Sequence, residues 1–225
     1  MINIAIDGPV GSGKSTVARE CAKRLGIMYV DTGAMYRSCA LFCIRSGIEI
    51  SPENETQISE LLNNKLTLDI KIIDSVQHVY INGDDVSDEI RTHGVGMAAS
   101  KVSALPSVRK FLLDKQLDLA KHNSVIMDGR DIGTVILPNA DIKIFMSAKP
   151  EVRAKRRYDE LIAKGENVTL SQVLIDVNKR DFQDSHRETA PLTQAPDAIF
   201  LDTSELDFEQ TVQGVIDLIR SLDKL

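Results

Sequence analysis

The stretch Gly8-Pro9-Val10-Gly11-Ser12-Gly13-Lys14-Ser15 constrains this chain more than any other. It fits the spacing GxxxxGK[ST], and its surroundings agree. The apolar run INIAID (2–7) reads as a buried strand before it. After it, Val17, Cys21, Ala22 and Leu25 fall at helical spacing up to Gly26. Glycines let such a loop curl with its backbone N–H groups inward, and the following helix N-terminus adds positive potential. A joint of this kind selects an anion. Lys14 is expected to reach the β- and γ-phosphates of a nucleoside triphosphate, and the Ser15 hydroxyl to bind Mg²⁺. The expected nucleotide-binding set is Gly8, Pro9, Val10, Gly11, Ser12, Gly13, Lys14, Ser15 and Thr16. Within it Thr16 serves the helix more than the ligand. A glycine-rich turn that merely starts a helix is the competing reading, and it does not explain the Lys-Ser pair in this context.

The rest of the chain reads as alternating elements. A strand is expected at 27–30 and a helix at 34–46 that stops at Gly47. Another helix is expected at 53–63, with Ser51 as cap and Pro52 in its first position. LTLDIKII and VQHVYIN then alternate, and Gly83-Asp84 is a turn signal, so 66–82 reads as an antiparallel hairpin. Helices follow at 94–103 and 106–121, strands at 124–128 and 141–148, and a helix from Pro150 to about 164. A helix capped by Thr169, a strand at 198–202 and a helix at 207–222 complete the chain. Five apolar strands in alternation with helices predict an α/β fold: a five-stranded parallel sheet covered on both faces. The hairpin falls outside that rhythm and reads as a small peripheral β-containing insert.

Composition narrows the function classes. A chain of 225 residues with 43% hydrophobic and 27% charged residues is an ordinary globular protein, one large domain or a core with inserts. Its apolar runs are strand-length, which argues against a membrane span, and MINIAIDGPVG lacks a secretory signal. Three cysteines without a CxxC fit a reducing cytosol, so a cytoplasmic location is expected. Cys39 and Cys43, at i and i+4, read as core residues. A net charge of −6, 4% aromatics and no Trp argue against a nucleic-acid partner. His78, His93, His122 and His186 form no ligand pair.

Two classes of triphosphate-binding protein compete. A GTPase switch needs NKxD and DxxG. Asn178-Lys179-Arg180-Asp181 matches the first by letters, but Leu170, Val173, Leu174 and Val177 before it repeat at helical spacing, and no DxxG occurs. A small kinase instead needs a second anion site built from arginines, and three clusters offer one. Asp31 to Arg37 (DTGAMYR) lies at a strand-to-helix junction, with Thr32 as cap. Asp128-Gly129-Arg130-Asp131 follows a strand and places Asp128 near a metal. Arg180, Asp184 and Arg187, at i, i+4 and i+7, continue an apolar helical stripe. Their two cations outnumber the one acid, which suits a phosphate. Arg153, Arg156 and Arg157 are either a lid over the triphosphate or a solvated face balanced by Asp159 and Glu160.

With these residues in view, the chain resembles the bacterial cytidylate (CMP) kinases, from its first strand to about residue 204. The resemblance rests on IAIDGPVGSGKST (4–16), DTGAMYR (31–37), SDEIRT (87–92) and AASKVSALPSVR (98–109). It continues through MDGRDIGTVILPNADIKIF (127–145), RAKRRYDEL (153–161) and RD…DSHRETAPL (180–192). It implies a nucleoside-monophosphate-kinase fold with a core at 1–31, 122–149 and 196–225. A monophosphate-binding region with its insert would span 32–121, and a helical lid 150–195. By the same resemblance Ser100, Arg109 and Asp131 would read cytosine. Thr32, Tyr36, Arg180 and Asp184 would hold the ribose side, and Arg37, Arg130 and Arg187 would grip the monophosphate. Lys14, Arg130, Arg187, Arg153 and Arg157 would be the catalytic cations, with Ser15 and, through water, Asp128 at Mg²⁺. The implied reaction moves the γ-phosphoryl group of ATP to CMP or dCMP in pyrimidine metabolism, in a monomer. The competing readings are another small kinase, such as a uridylate or shikimate kinase, or a nucleotide sensor without turnover.

Overall fold

The structure, a computed structural model, describes residues 1–73 and 76–221. The join between the two alternating runs, at 74–75, and residue 222 of the expected closing helix lie outside them. The elements run β1 (Asn3–Asp7), α1 (Lys14–Leu25), β2 (Met28–Asp31), α2 (Thr32–Arg45), α3 (Glu55–Lys65), β3 (Leu68–Ile73), β4 (Val76–Ile81) and β5 (Asp84–Asp85). They continue with α4 (His93–Val102), α5 (Pro106–His122), β6 (Val125–Gly129), β7 (Ile142–Ser147), α6 (Pro150–Ala163), α7 (Leu170–His186), β8 (Ile199–Asp202) and α8 (Phe208–Arg220). The five strands read as apolar form one sheet in the order β2-β6-β1-β7-β8. The chain divides into two compact units, Met1–Ile27 with Ile126–Leu225, and Met28–Val125.

In the first unit β1 and β7 pair in parallel, Ile4 opposite Ile142 and Ile6 opposite Ile144. β7 pairs in parallel with β8, Ile144 opposite Ile199. Continuous apolar runs are what strands covered on both faces require, and Ile4, Ala5, Ile6, Ile126 and Met127 have no exposed surface. β8 differs. It ends the sheet, so Ile199 and Phe200 stay exposed although the sequence there is as apolar as in β1. Phe200 stacks on Phe145 of the neighbouring strand, ring centroids 6.3 Å apart. α8 starts on a reciprocal capping box, with Asp207 accepting from the Gln210 N–H and the Gln210 side chain accepting from the Asp207 N–H. α6 and α7 bury Ala154, Leu161, Val173 and Val177 against each other, together with Val10 of the glycine-rich loop.

The second unit has its own core, in which Met35, Cys39 and Cys43 of α2 meet Ile58 and Leu62 of α3 and Leu112 of α5. Leu68, Val79, Ile81 and Val86 join the same cluster. The hairpin is therefore built into this unit rather than free-standing. β3 and β4 pair antiparallel, Leu68 opposite Ile81 and Ile70 opposite Val79, and β5 extends the sheet to three strands.

Several local expectations change. α2 begins at Thr32 because Asp31, not Thr32, is the cap, its carboxylate accepting from the Ala34 N–H at 2.9 Å. Ser51 and Pro52 open a single 3₁₀ turn, Pro52–Asn54, and α3 starts only at Glu55. α7 ends at His186, so Arg187 is its extended C-cap and not a seventh-residue partner on a helix face.

Candidate active site

In the first unit, β1 delivers the chain into a loop that leaves no room for side chains at two points. Gly8 has φ +156, and a Cβ there would overlap the carbonyl of Met146. Gly11 has φ +74, and a Cβ would sit 2.8 Å from the Arg153 carbonyl oxygen. The loop is thus wedged between β7 and α6, and glycine is required for both conformation and space. The Lys14 ammonium is buried and donates to the Pro9 carbonyl at 3.3 Å. Burial, then the nearby Arg130 cation, pushes its pKa down to about 7. A bound anion would reverse that shift. The Ser15 hydroxyl donates to the Asp128 carboxylate. The Ser12 hydroxyl is buried within the loop, with no hydrogen-bond partner among the described residues.

The turn after β6 is pinned from below. Asp7, the last residue of β1, accepts from the N–H groups of Ile132 (2.8 Å) and Gly133 (2.7 Å), at the start of a π-helical turn, Ile132–Ile136. Burial pushes the Asp7 carboxyl up to about 6 even against these two bonds. Above it, Arg130 and Asp131 do not pair with each other. The Arg130 Nε donates to Asp184 at 2.8 Å, and the Arg187 Nη2 donates to Asp131 at 3.3 Å. The turn and the end of α7 are therefore joined by two crossed ion pairs. Burial works against the Asp184 charge, but Arg130, then Arg180 and Arg187, hold its carboxyl below the usual range. Burial likewise opposes the Arg130 charge, and Asp184, with Asp128 and Asp7, more than offsets it. Arg187, though past the helix, is fixed by its Nε donating to the Ala190 carbonyl at 2.7 Å.

The three arginines of α6 have separate tasks. Arg153 is buried and donates to the carbonyls of Ala148 (2.8 Å) and Val10 (3.0 Å) and to both carboxylate oxygens of Asp181 (3.0 and 2.5 Å). Arg156 donates to the Ser12 carbonyl at 3.3 Å and to Thr203, carbonyl at 2.7 Å and hydroxyl at 3.0 Å. Two of the three thus hold the glycine-rich loop by its carbonyls. Arg157 is half-buried and pairs with Glu160 of the same helix at 2.7 Å. Thr16 is exposed on the first turn of α1.

The second unit holds the other expected residues. Thr32 and Tyr36 are buried on α2, and Arg37 donates from Nη2 to the Asp31 carboxylate at 2.8 Å. The Arg109 guanidinium lies 5.6 Å from the centre of the Tyr36 ring and donates to the Ser103 carbonyl at 3.2 Å. Ser100 is half-buried on α4. Thr32, Tyr36, Arg37 and Arg109 thus belong to α2 and the helix packed on it. Arg130, Asp131, Arg180, Asp184 and Arg187 form the crossed cluster of the first unit.

Comparison with known proteins decides the family. The sequence profile of the family described as Cytidylate kinase matches residues 4–221. A cytidylate kinase from Caldicellulosiruptor bescii is 47% identical over 223 residues, 99% of this chain and 97% of that protein. One from Caldicellulosiruptor saccharolyticus is 48% identical over 218 residues, 96% of this chain and 95% of that protein. The chain belongs to the cytidylate kinase family. It is accordingly a kinase, a phosphotransferase that acts on nucleotides. An uncharacterized protein from Eubacterium ventriosum superposes over the whole of both chains with a TM-score of 0.54 at 14% identity, a likeness of fold alone. Among the described residues no helix is long and apolar enough to cross a membrane.

Two buried polar residues that bond to main-chain groups escape the reading of motifs. Asp7 reads as the end of a strand. A carboxylate closing an otherwise apolar, buried run is the signal, because such a group must find donors. Gln77 reads as one member of an alternating run, although it occupies a core-facing position.

Proposed function

We propose that this cytidylate kinase family member moves the γ-phosphoryl group of ATP to the phosphate of CMP, and of dCMP, in pyrimidine nucleotide metabolism. An oxygen of the acceptor phosphate attacks the γ-phosphorus, the bond from that phosphorus to the bridging oxygen breaks, and ADP leaves with CDP or dCDP. The acceptor is already anionic near neutral pH, so no general base is needed. Catalysis is then positioning and charge neutralisation. The observation that carries the reading is the pair of crossed ion pairs, Arg130 with Asp184 and Arg187 with Asp131. They hold two guanidiniums in place at the turn after β6 and the end of α7.

In this reading Gly8 through Thr16 hold the triphosphate, and Lys14 meets the charge that builds during transfer. Arg37, Arg130 and Arg187 take the monophosphate. Asp131, Ser100 and Arg109 read cytosine, and Thr32, Tyr36, Arg180 and Asp184 hold the ribose. Residues 150–195 serve as the lid that excludes water, with Arg153 and Arg157 toward the transferred group. Mg²⁺ fits the donor set: a hydroxyl, Ser15, bonded to a carboxylate, Asp128, is the sparse protein contribution this ion takes beside phosphates and water. There it would neutralise phosphate charge. The protein works as a cytoplasmic monomer.

The test is a coupled assay of ADP formation with CMP, dCMP, UMP, AMP and shikimate as acceptors. CMP and dCMP are expected to turn over fastest. Faster turnover of UMP or shikimate contradicts the reading, and ATP binding without turnover of any acceptor would leave a sensor.

A further inference from the structure

β4 alternates, so Gln77, Val79 and Ile81 face the core while His78 and Tyr80 are half-exposed. A primary amide in such a position has to be paired, because burying it bare is costly. Gln77 is 5% exposed, and both ends of its amide go to one residue. Its Oε1 accepts from the Asp31 N–H at 2.8 Å, and its Nε2 donates to the Asp31 carbonyl at 3.3 Å. A peptide N–H needs an acceptor and a peptide C=O a donor, so Asp31 itself fixes which way the amide points. One side chain makes the two bonds that an adjoining strand would make.

Asp31 is where this matters. Its carboxylate caps α2 at the Ala34 N–H and binds the Arg37 Nη2 at 2.8 Å. The Arg37 Nε is buried with no hydrogen-bond partner among the described residues. The Asp31 contact is thus what orients this guanidinium, and the Asp31 backbone is held from β4, 46 residues away.

We propose that Gln77 is a positioning residue for the acceptor phosphate: it clamps the main chain of Asp31 and, through the Asp31 carboxylate, sets the guanidinium of Arg37. The proposal rests on the reading of Arg37 as a monophosphate ligand. It gives the three-stranded sheet a catalytic use beyond filling the core of its unit.

A double-mutant cycle tests it, with KM for CMP and for ATP measured in wild type, Gln77→Ala, Arg37→Ala and the double variant. Gln77→Ala should raise the CMP KM by about fivefold or more, the cost of losing two hydrogen bonds to a buried main chain, with the ATP KM within about twofold. In the Arg37→Ala background the same step should change the CMP KM by less than about twofold. An equal change in both backgrounds, or an equal rise in the ATP KM, overturns the proposal in favour of a purely structural role. Should Gln77→Ala fail to fold, Gln77→Met, which fills the space without a polar group, carries the same cycle. Unfolding of both variants also decides for a structural role. A wild type that does not turn over CMP defeats the functional reading itself, whereas an active wild type with an unaltered Gln77→Ala defeats only this inference.

Discussion

The two units hold their cations differently. In the first, each key arginine is tied to a distant part of the chain: Arg130 to Asp184, Arg187 to Asp131, and Arg153 to Val10 and Asp181. In the second, Arg37 binds the cap of its own helix, six residues back, and Gln77 ties the main chain of that cap to β4. Tertiary pairing places charge where opposite charge is buried beside it, so stability and site geometry become one property. Local pairing leaves the fold less dependent on the charge. Loss of an arginine should therefore damage fold and function together in the first unit, and mainly function in the second.

The largest expected effect lies in the glycine-rich loop. Lys14→Met should lower kcat by about 100-fold or more while the chain stays folded, because the ammonium meets charge that develops during transfer. Turnover within about threefold of wild type would remove Lys14 from the chemistry. Next comes the direct test of the contrast. Arg130→Ala removes the hydrogen-bonded partner of the buried Asp184 carboxylate and should cost about 3 kcal/mol of unfolding free energy, with a raised CMP KM and little change for ATP. Arg37→Ala leaves Asp31 its bond to Ala34 and should cost about 1 kcal/mol, with a similarly raised CMP KM. Denaturant titration reads both. Equal losses would break the contrast.

A smaller effect concerns protons. With Lys14 pushed down to about 7, triphosphate binding should raise its pKa again. Below pH 7 the group is charged before and after binding, so it contributes no pH dependence. Above pH 7 binding takes up a proton, and affinity falls as pH rises. Calorimetry at pH 8 in two buffers of different ionisation heat should report an uptake approaching one proton. Zero uptake would mean that Lys14 is already charged before the triphosphate binds.

Much of this was legible in the sequence, for physical reasons. Gly8 to Ser15 are contiguous and their conformational demands are local, so composition and spacing suffice to read the loop. The parallel strands announce themselves because both faces must be apolar. The pairing of Arg130 with Asp184, rather than with its neighbour Asp131, depends on where α7 ends and where the turn after β6 is pinned. Neither is encoded in spacing. The exposed edge position of β8 is a matter of strand order, to which an apolar run is blind. Asp7 and Gln77 carry the faintest signal, a single polar residue in a buried run, whose meaning appears only with its partner.

The central claim is that a carboxylate held in the crossed cluster selects cytosine, and the ratio of kcat/KM for CMP over UMP tests it most directly. Cytosine offers a 4-amino donor where uracil offers a carbonyl acceptor, so Asp131 should attract one and repel the other. Asp131 is 3% exposed, and the ion pair with Arg187 holds it in place. Asp131→Ala should erode the ratio by about 10- to 150-fold, the loss of a charged hydrogen bond in a desolvated pocket. A variant slowed equally on CMP and UMP would contradict the claim and leave Asp131 in a structural role, as an ion-pair partner of Arg187.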